Sequence, residues 1–504
     1  MKISRADVSA WPVWAQGLLG LAGGAFGAAA HAPLSIAVAI LVPIGVMFSL
    51  LKAARSTGHA VLLGLSVGVG YFGLTLSWIT QPFQIDAATT GWMAPFALGL
   101  LALGLGLFWG AALAFAKWCG GRAFVLVFSL AGVEMLRAYL LTGFPWASAP
   151  QALVDGLAGQ ALALAGPHGV MLAMLAVMAG VHALNHRAFE TVLVCLIAIP
   201  LLLPPLAERS ALTDHTIRLV QPNAPQDEKW DPARIPVFVN RQIDYTAAGE
   251  VPDLVVWPET ALPYLLENAQ PVFDVIADAA RGAPVVLGIQ RRDDAGYYNS
   301  LVTLDAAGQV TQTYDKHHLV PFGEYMPLPG LFRSLGIRAL AERADSGYAR
   351  GPGPQVLDMG ALGTALPLIC YEAVFAHDVG AAPTRPTFLM HITNDAWFGM
   401  RSGPQQHLAQ AQMRAIEQGL PLIRAANTGV SAIIDANGRI TEALWLNEPG
   451  YVDAALPVAG PPTLYSRTGD LPWVLLILAG LIAAVLHHAH LRRAGAIDAP
   501  GPGA

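Results

Sequence analysis

The sequence predicts a multispan α-helical membrane domain joined to an extracytoplasmic α/β domain, and three observations carry that prediction. The 504 residues are 54% hydrophobic and only 13% charged, with a mean hydropathy of +0.48, whereas ordinary soluble chains carry about 25% charged residues. The apolar residues gather, before Leu206, in stretches each near the ~20 residues that cross a bilayer. From about Ala207 to Asp470 the pattern changes to short β-rich runs alternating with helical segments, as in a domain with a sheet core. The length allows two or three domains.

Seven spans are expected in the first part: Trp11–Ala30, Leu34–Leu51, Ala60–Thr80, Trp92–Ala116, Ala123–Leu141, His168–Leu184 and Ala188–Leu206. An eighth runs from Leu471 to His488. Gly- and Ala-rich runs such as "LGLLALGLGLFWGAALAFA" suit close helix packing in lipid. The charges in the short connections set the orientation. Lys2 and Arg5, Lys52 and Arg55, Lys117 and Arg122, Arg187, and Arg492 with Arg493 all fall on one side. The alternate loops "HAP", "QPFQIDAATTG" and "TGFPWASAPQALVDG" contain no Lys or Arg. The positive-inside rule then makes both termini cytoplasmic and puts the second part on the far side, the periplasm of a bacterium. The expected division is 1–206 for the membrane domain, 207–465 for the catalytic domain, 466–490 for the last span and 491–504 for a cytoplasmic tail. The first span, with its basic flank and "AHA" at Ala30–Ala32, also has the form of a cleavable signal peptide. Retention is the expectation, because further spans follow with no soluble start. Glu134 and Arg137, three apart in the fifth span, are expensive in lipid and call for each other, another helix or a lipid headgroup.

The net charge of −6 and the lack of a basic block give no reason to expect nucleic acid. Three widely spaced cysteines cannot build a disulfide framework. Cys119 and Cys195, in or beside apolar stretches, read as small buried hydrophobes. His317, His318, His391 and His407 show no metal-ligand spacing, so no metal is expected, and no phosphate-cradling loop appears.

In the second part "TIRLVQPNAP", "PDLVVWPET" and "APVVLGIQ" read as strands ending in turn residues. "NSLVTLDAAGQVTQTYDK" and "VSAIIDANGRITEAL" read as hairpins, the latter turning at Asn437-Gly438. Gln405–Gln418 has a helical pattern, and "PVAGPPTLYSRTGD" reads as a linker. Reactive side chains stand where strands give way to loops: Glu259 in "VVWPET", Lys316 and Glu324 in "YDKHHLVPFGEYMP", and Cys370 in "LPLICYE". A carboxylate, an ammonium and a thiol so placed suit covalent catalysis. The acid shuttles a proton, the lysine offsets oxyanion charge and lowers the thiol pKa, and the thiolate attacks a carbonyl. A lone cysteine at a strand end is also an ordinary structural residue, and loop Lys and Glu are usually solvated.

Together, "WPET", "YDKHHLVPFGEYMP", "LICYE" and "TNDAWFG" resemble the nitrilase superfamily, and with the spans and "TGFPW" they are similar to its membrane-embedded branch, the apolipoprotein N-acyltransferases. The resemblance covers nearly the whole chain. It implies a four-layer α-β-β-α sandwich with Glu259 as general base, Lys316 as oxyanion stabiliser and Cys370 as nucleophile. Glu324, Tyr371 and Glu372 are implied in support, with Cys370 on a tight turn open to substrate and Glu372 either holding that turn or positioning Lys316. Asn394, Asp395 and Trp397 match a family motif but would also suit a plain turn. Trp230 in "EKWDP" would line an acyl pocket or simply pack. The implied substrates are a membrane phospholipid donor and a diacylated apolipoprotein acceptor, with no cofactor and a monomer as the expected state. Tyr325–Leu340 reads either as an interfacial segment or as an amphipathic helix packed on the domain. A membrane-anchored hydrolase with the same three residues, and a transporter with a sensor domain, are the other function classes the sequence leaves open.

Overall fold

The computed structural model describes residues 8–183, 199–201, 203–204, 209–327 and 347–494. The chain divides into two compact units, Met1–Leu206 with Leu464–Ala504, and Ala207–Thr463.

The first unit is helical. Among the described residues, five of its helices are long and apolar enough to cross a membrane: Val13–Ala30, Thr57–Thr75, Ala87–Trp118, Leu157–Ala183 and Leu471–Arg493. Two expected spans are shorter. Ala37–Ala53 is apolar but falls below that length, and Ala123–Tyr139 has 17 residues. The expected span Ala188–Leu206 lies largely outside the described residues, as does Cys195. The sixth span, expected from His168, belongs to a helix described from Leu162 to Ala183 that is interrupted at Gly166 (φ 58°, ψ −173°), just before Pro167.

Glycines let backbones touch in this unit. A Cβ on Gly24 would lie 2.0 Å from the Val67 carbonyl oxygen, and one on Gly70 would lie 2.1 Å from that of Leu21. Small residues at such crossings are what helix association in lipid favours. Glu134 and Arg137 meet each other: Arg137 Nη2 lies 2.6 Å from Glu134 Oε2, Trp109 Nε1 donates to Glu134 Oε1 at 2.7 Å, and Arg137 also donates to the Trp146 carbonyl at 2.8 Å. The paired contact is therefore the one formed, and it answers the desolvation of both charges.

The second unit contains, among the described residues, two six-stranded sheets. The first holds β1 (Leu212–Gln221), β2 (Leu254–Val256), β3 (Val285–Asp293), β4 (Gly296–Leu304), β5 (Val310–Asp315) and β12 (Gly450–Pro457) in the order β12-β1-β2-β3-β4-β5. The second holds β6 (Leu357–Asp358), β7 (Thr364–Ile369), β8 (Phe388–Thr393), β9 (Leu422–Ala426), β10 (Ser431–Ile434) and β11 (Ile440–Leu444) in the order β11-β10-β9-β8-β7-β6. Both expected hairpins form, β4–β5 and β10–β11. In the second, Asp435 Oδ1 accepts the amides of Asn437 and Arg439, and Gly438 takes φ +81°. β3–β4 is a third hairpin, turning at Asp294-Ala295. The sequence reading ended its first strand at Gln290 and so missed that turn.

Strand alternation assigns the layers. Ile217, Leu219, Leu254, Val256 and Leu301 of the first sheet meet Ala365, Ile369, Met390, Ile392 and Ile423 of the second in a buried core. On the outer face of the first sheet, Val255, Val285 and Leu287 pack with Phe273 and Ile276 of the helix Gln270–Ala280 and with Val239 and Ile243 of the helix Ile235–Ala247. On that of the second, Leu366, Leu389 and Leu422 pack with Leu408, Ala411 and Ala415 of the helix Gly403–Gln418. The order is helix, sheet, sheet, helix, the α-β-β-α sandwich. β2, β7 and β8 run parallel to neighbouring strands, and Glu259, Cys370 and Asn394 follow their carboxyl ends, whereas Lys316 follows β5, which is antiparallel to β4.

Candidate active site

Glu259 follows β2 after Trp257 and Pro258, and both its carboxylate oxygens are held. Asn299 Nδ2 donates to Oε1 at 2.7 Å, and the backbone N–H of Asn394 donates to Oε2 at 2.8 Å. The turn itself is strained, with Thr260 at φ +45°. It is tied down by the buried Lys229, whose Nζ donates to the Thr260 hydroxyl at 3.1 Å and the Glu259 carbonyl at 3.3 Å. Burial lowers the Lys229 pKa to about 8, with Glu259 acting against that shift. Gly288 of β3 lies beneath the turn, where a Cβ would sit 2.6 Å from Glu259 Cα.

Lys316 directly follows β5. Its amide donates to the Asn299 carbonyl at 2.9 Å, and its own carbonyl accepts from Gly351 at 2.9 Å. Its ammonium lies 2.8 Å from Glu324 Oε1 and 3.7 Å from Glu259 Oε1. Burial works against that charge, but Glu324 and Glu259 outweigh it and hold the Lys316 pKa above its ordinary value. Asn299 Nδ2 also reaches Glu324 Oε1 at 3.1 Å, so one amide ties both carboxylates that face the lysine.

Cys370 follows β7 and opens a 3₁₀ turn, Cys370–Val374. Its φ of +51° is unusual for a residue with a side chain. The sequence reading expected this thiol to be open to substrate; the structure corrects that, because Cys370 is only 5% exposed and belongs to the core between the sheets. Its electrostatics also differ from expectation. Burial and the Glu259 charge push the thiol pKa well above the ordinary range, outweighing Lys316 and Thr393, which act the other way. At neutral pH it is a thiol, and a base must take its proton.

Glu372 is wholly buried and holds geometry. Oε2 accepts the Ile369 amide at 2.7 Å, while Oε1 accepts the Tyr314 hydroxyl at 2.9 Å and the amides of His317 and His318 at 2.8 and 3.3 Å. It joins the turn of Cys370 to the segment after Lys316, the first of its two expected alternatives, while the carboxylates near Lys316 Nζ are those of Glu324 and Glu259. Tyr371 is buried and packs edge-on against Phe375 and His318. Asn394 is buried too. Its side chain bonds Gln226 and Asn427 at 2.8 Å each, which holds in place the backbone N–H that Glu259 accepts. Trp230 and Trp397 stay about two-fifths exposed, at 42% and 43%. Of the segment Tyr325–Leu340, the part from 328 onward lies outside the described residues.

Sequence reasoning missed Lys229, Asn299 and Gly288, since a lysine beside a tryptophan, an asparagine inside a strand and a strand glycine carry no chemical signature until folded. His317 offers a stability test. Burial opposes its charge, but Asp378 and Glu372 raise its pKa from 6.5 to about 9. A raised histidine pKa means that its contribution is complete below pH about 6.5 and lost as pH rises through about 9. The melting temperature should therefore fall between those values, and His317→Gln should flatten that part of the profile when melting is followed against pH.

The model of the carbon-nitrogen hydrolase family matches residues 205–460, and that of the apolipoprotein N-acyltransferase N-terminal domain matches residues 23–180. An apolipoprotein N-acyltransferase of Bradyrhizobium diazoefficiens is 34% identical over 522 residues, covering 96% of this chain and 97% of that one. One of Caulobacter vibrioides is 38% identical over 510 residues, covering 94% of each. Among solved structures, a mutant of the amidase from Nesterenkonia sp. AN1 aligns with 52% of this chain and 98% of its own, at 19% identity and a TM-score of 0.37. With relatives above 30% identity along nearly their whole length and both parts of the chain matched, this protein belongs to the apolipoprotein N-acyltransferase family.

Proposed function

We propose that this chain moves an acyl group from a membrane phospholipid to the free α-amine of a diacylglyceryl-cysteine at the N-terminus of an apolipoprotein, the last step of lipoprotein maturation. The observation that carries the reading is the meeting of Glu259, Lys316 and Cys370 at three strand ends in one nearly dry site. Glu259 takes the Cys370 proton as sulfur attacks the ester carbonyl. Lys316 stabilises the oxyanion, and Glu259 returns the proton to the departing lysophospholipid oxygen. The remaining thioester is attacked by the amine, giving an amide and restoring the thiol. No nucleotide enters, because an ester is exchanged for a more stable amide. Exclusion of water protects the thioester, and a thiol that stays protonated until Glu259 acts fits a site that reacts only with substrate in place. Glu324 keeps Lys316 charged, and Asn299 keeps the two carboxylates in register.

The direct test is incubation with phospholipid and a diacylated lipopeptide. Amide product supports transfer, free fatty acid identifies a hydrolase, and neither product removes both readings. Gly288→Ala should lower the rate about 10²-fold with little change in lipid affinity, because an added Cβ must push the Glu259 turn away; initial rates against lipid concentration check this.

The same proposal places the protein in the bacterial inner membrane with seven spans before the catalytic domain, that domain in the periplasm and both termini in the cytoplasm. Its support is the Lys/Arg alternation. Reporter fusions after Arg187 or at the C-terminus should read cytoplasmic, and insertions between Ala207 and Thr213 periplasmic. Reporters reading the same side would end the topology.

A further inference from the structure

Beneath the nucleophile lies a buried polar cluster that the reaction steps above do not use. His391 of β8 and His407 of the helix Gly403–Gln418 each place Nε2 3.1 Å from the carbonyl oxygen of Cys370. Each ring is braced from behind. Arg424 of β9 sets Nη1 2.7 Å from His391 Nδ1, and Asp395 sets Oδ1 2.8 Å from His407 Nδ1. Arg424 Nη2 and Asp395 Oδ2 pair at 2.5 Å, while Arg424 Nε donates to the Val430 carbonyl at 3.1 Å and Thr393 donates to Asp395 Oδ1 at 2.9 Å. All five of these side chains are fully buried.

The tautomer of His391 follows from its neighbours. A guanidinium only donates, so the Nδ1 facing Arg424 is the acceptor and Nε2 carries the hydrogen given to Cys370. The carbonyl that receives it belongs to a residue at φ +51°, a conformation that a side chain disfavours and that persists only where the surroundings hold it. In a trans peptide the carbonyl and the following N–H point opposite ways, so anchoring this oxygen also fixes the plane leading into Tyr371. The Cys370 backbone, and with it the direction of its Cα–Cβ bond, is thereby held through its carbonyl.

We propose that His391, braced by Arg424, is a positioning residue that locks the Cys370 backbone in its left-handed conformation and so aims the thiol at Glu259 and the acyl carbonyl, with His407, whose Nδ1–H goes to Asp395, packed edge-on beside it. The inference rests on the reading of Cys370 as nucleophile, but the lock itself is a property of the backbone and is testable without lipid.

The test uses the full-length protein in detergent micelles. His391→Leu removes the donor, and His391→Gln keeps a side-chain N–H at similar reach. The expected result is a kcat on the order of 10²-fold lower for His391→Leu with KM for phospholipid near wild type, and recovery of most of that loss in His391→Gln. Iodoacetamide alkylation of Cys370, which involves no substrate, should slow in the leucine variant and recover in the glutamine variant. If alkylation follows this pattern in a protein that shows no acyl transfer, the lock stands and the functional reading falls. A folded His391→Leu with wild-type alkylation overturns the lock, as does a glutamine variant that falls as far as leucine. Should His391→Leu not fold, melting temperatures decide. Glycine tolerates positive φ where alanine does not, so the gap between Cys370→Gly and Cys370→Ala should narrow when combined with His391→Asn, whose amide is too short to reach the carbonyl, because the unlocked backbone releases the alanine's strain. An unchanged gap overturns the proposal.

Discussion

Cys370→Ala should form no acyl adduct with phospholipid and show no transfer to a lipopeptide. Wild type should gain the mass of one acyl chain, removable by hydroxylamine, when followed by mass spectrometry. Cys370→Ser should be almost as inactive. The wild-type thiol is already pushed above its ordinary pKa by burial and Glu259, and so depends on Glu259 for deprotonation at the moment of attack. A serine hydroxyl is a far weaker acid in the same dry site and gives a poorer leaving group in the second step. Cys119→Ala should be silent, because that thiol is buried in the helical unit. An adduct that persists in Cys370→Ala, or that maps to Cys119 or Cys195, would remove the mechanism.

Lys316→Met should lower acyl transfer by about 10²–10³, the usual effect of losing one oxyanion donor, and should also destabilise the protein. Lys316 is the shared cation of Glu324 at 2.8 Å and Glu259 at 3.7 Å, and all three groups are largely withdrawn from water. Removing the ammonium leaves two carboxylates facing each other across a space built for a positive charge, a loss of about 3–5 kcal/mol by comparison with other broken buried pairs. The two effects separate in the double variant Lys316→Met with Glu324→Gln. Neutralising Glu324 should recover part of the melting temperature and none of the activity. Recovery of both would mean that Lys316 acts only by balancing charge, while a single Lys316→Met variant of normal rate would exclude it from the chemistry. Single-turnover acylation and thermal melts on the same preparations make the distinction.

How much of this was legible beforehand depends on the kind of interaction involved. Hydropathy, strand alternation and strand-end residues are local properties, so the helical part, the sheet-bearing part, the β4–β5 and β10–β11 hairpins and the positions of Glu259, Lys316 and Cys370 could be read from the order of residues. The ordered motifs then carried the family. Whether Cys370 is exposed, and which carboxylate serves Lys316, are not local questions. Eight residues separate Lys316 from Glu324, and 57 from Glu259, yet both reach it because β2 and β5 lie in one sheet and Asn299 of β4 ties the two acids together. Glu372, two residues beyond the cysteine, binds instead the amides of His317 and His318 from the other sheet's loop. The sequence by itself determined the two-part architecture, several of the strands and the placement of Glu259, Lys316 and Cys370 just beyond strand ends, because periodicity and composition act over a few residues. Only the tertiary structure decided the burial of the thiol, its raised pKa, the pairing of Lys316 with Glu324 and the clamp on the Cys370 carbonyl, because desolvation and charge pairing depend on which distant segments the two sheets bring face to face.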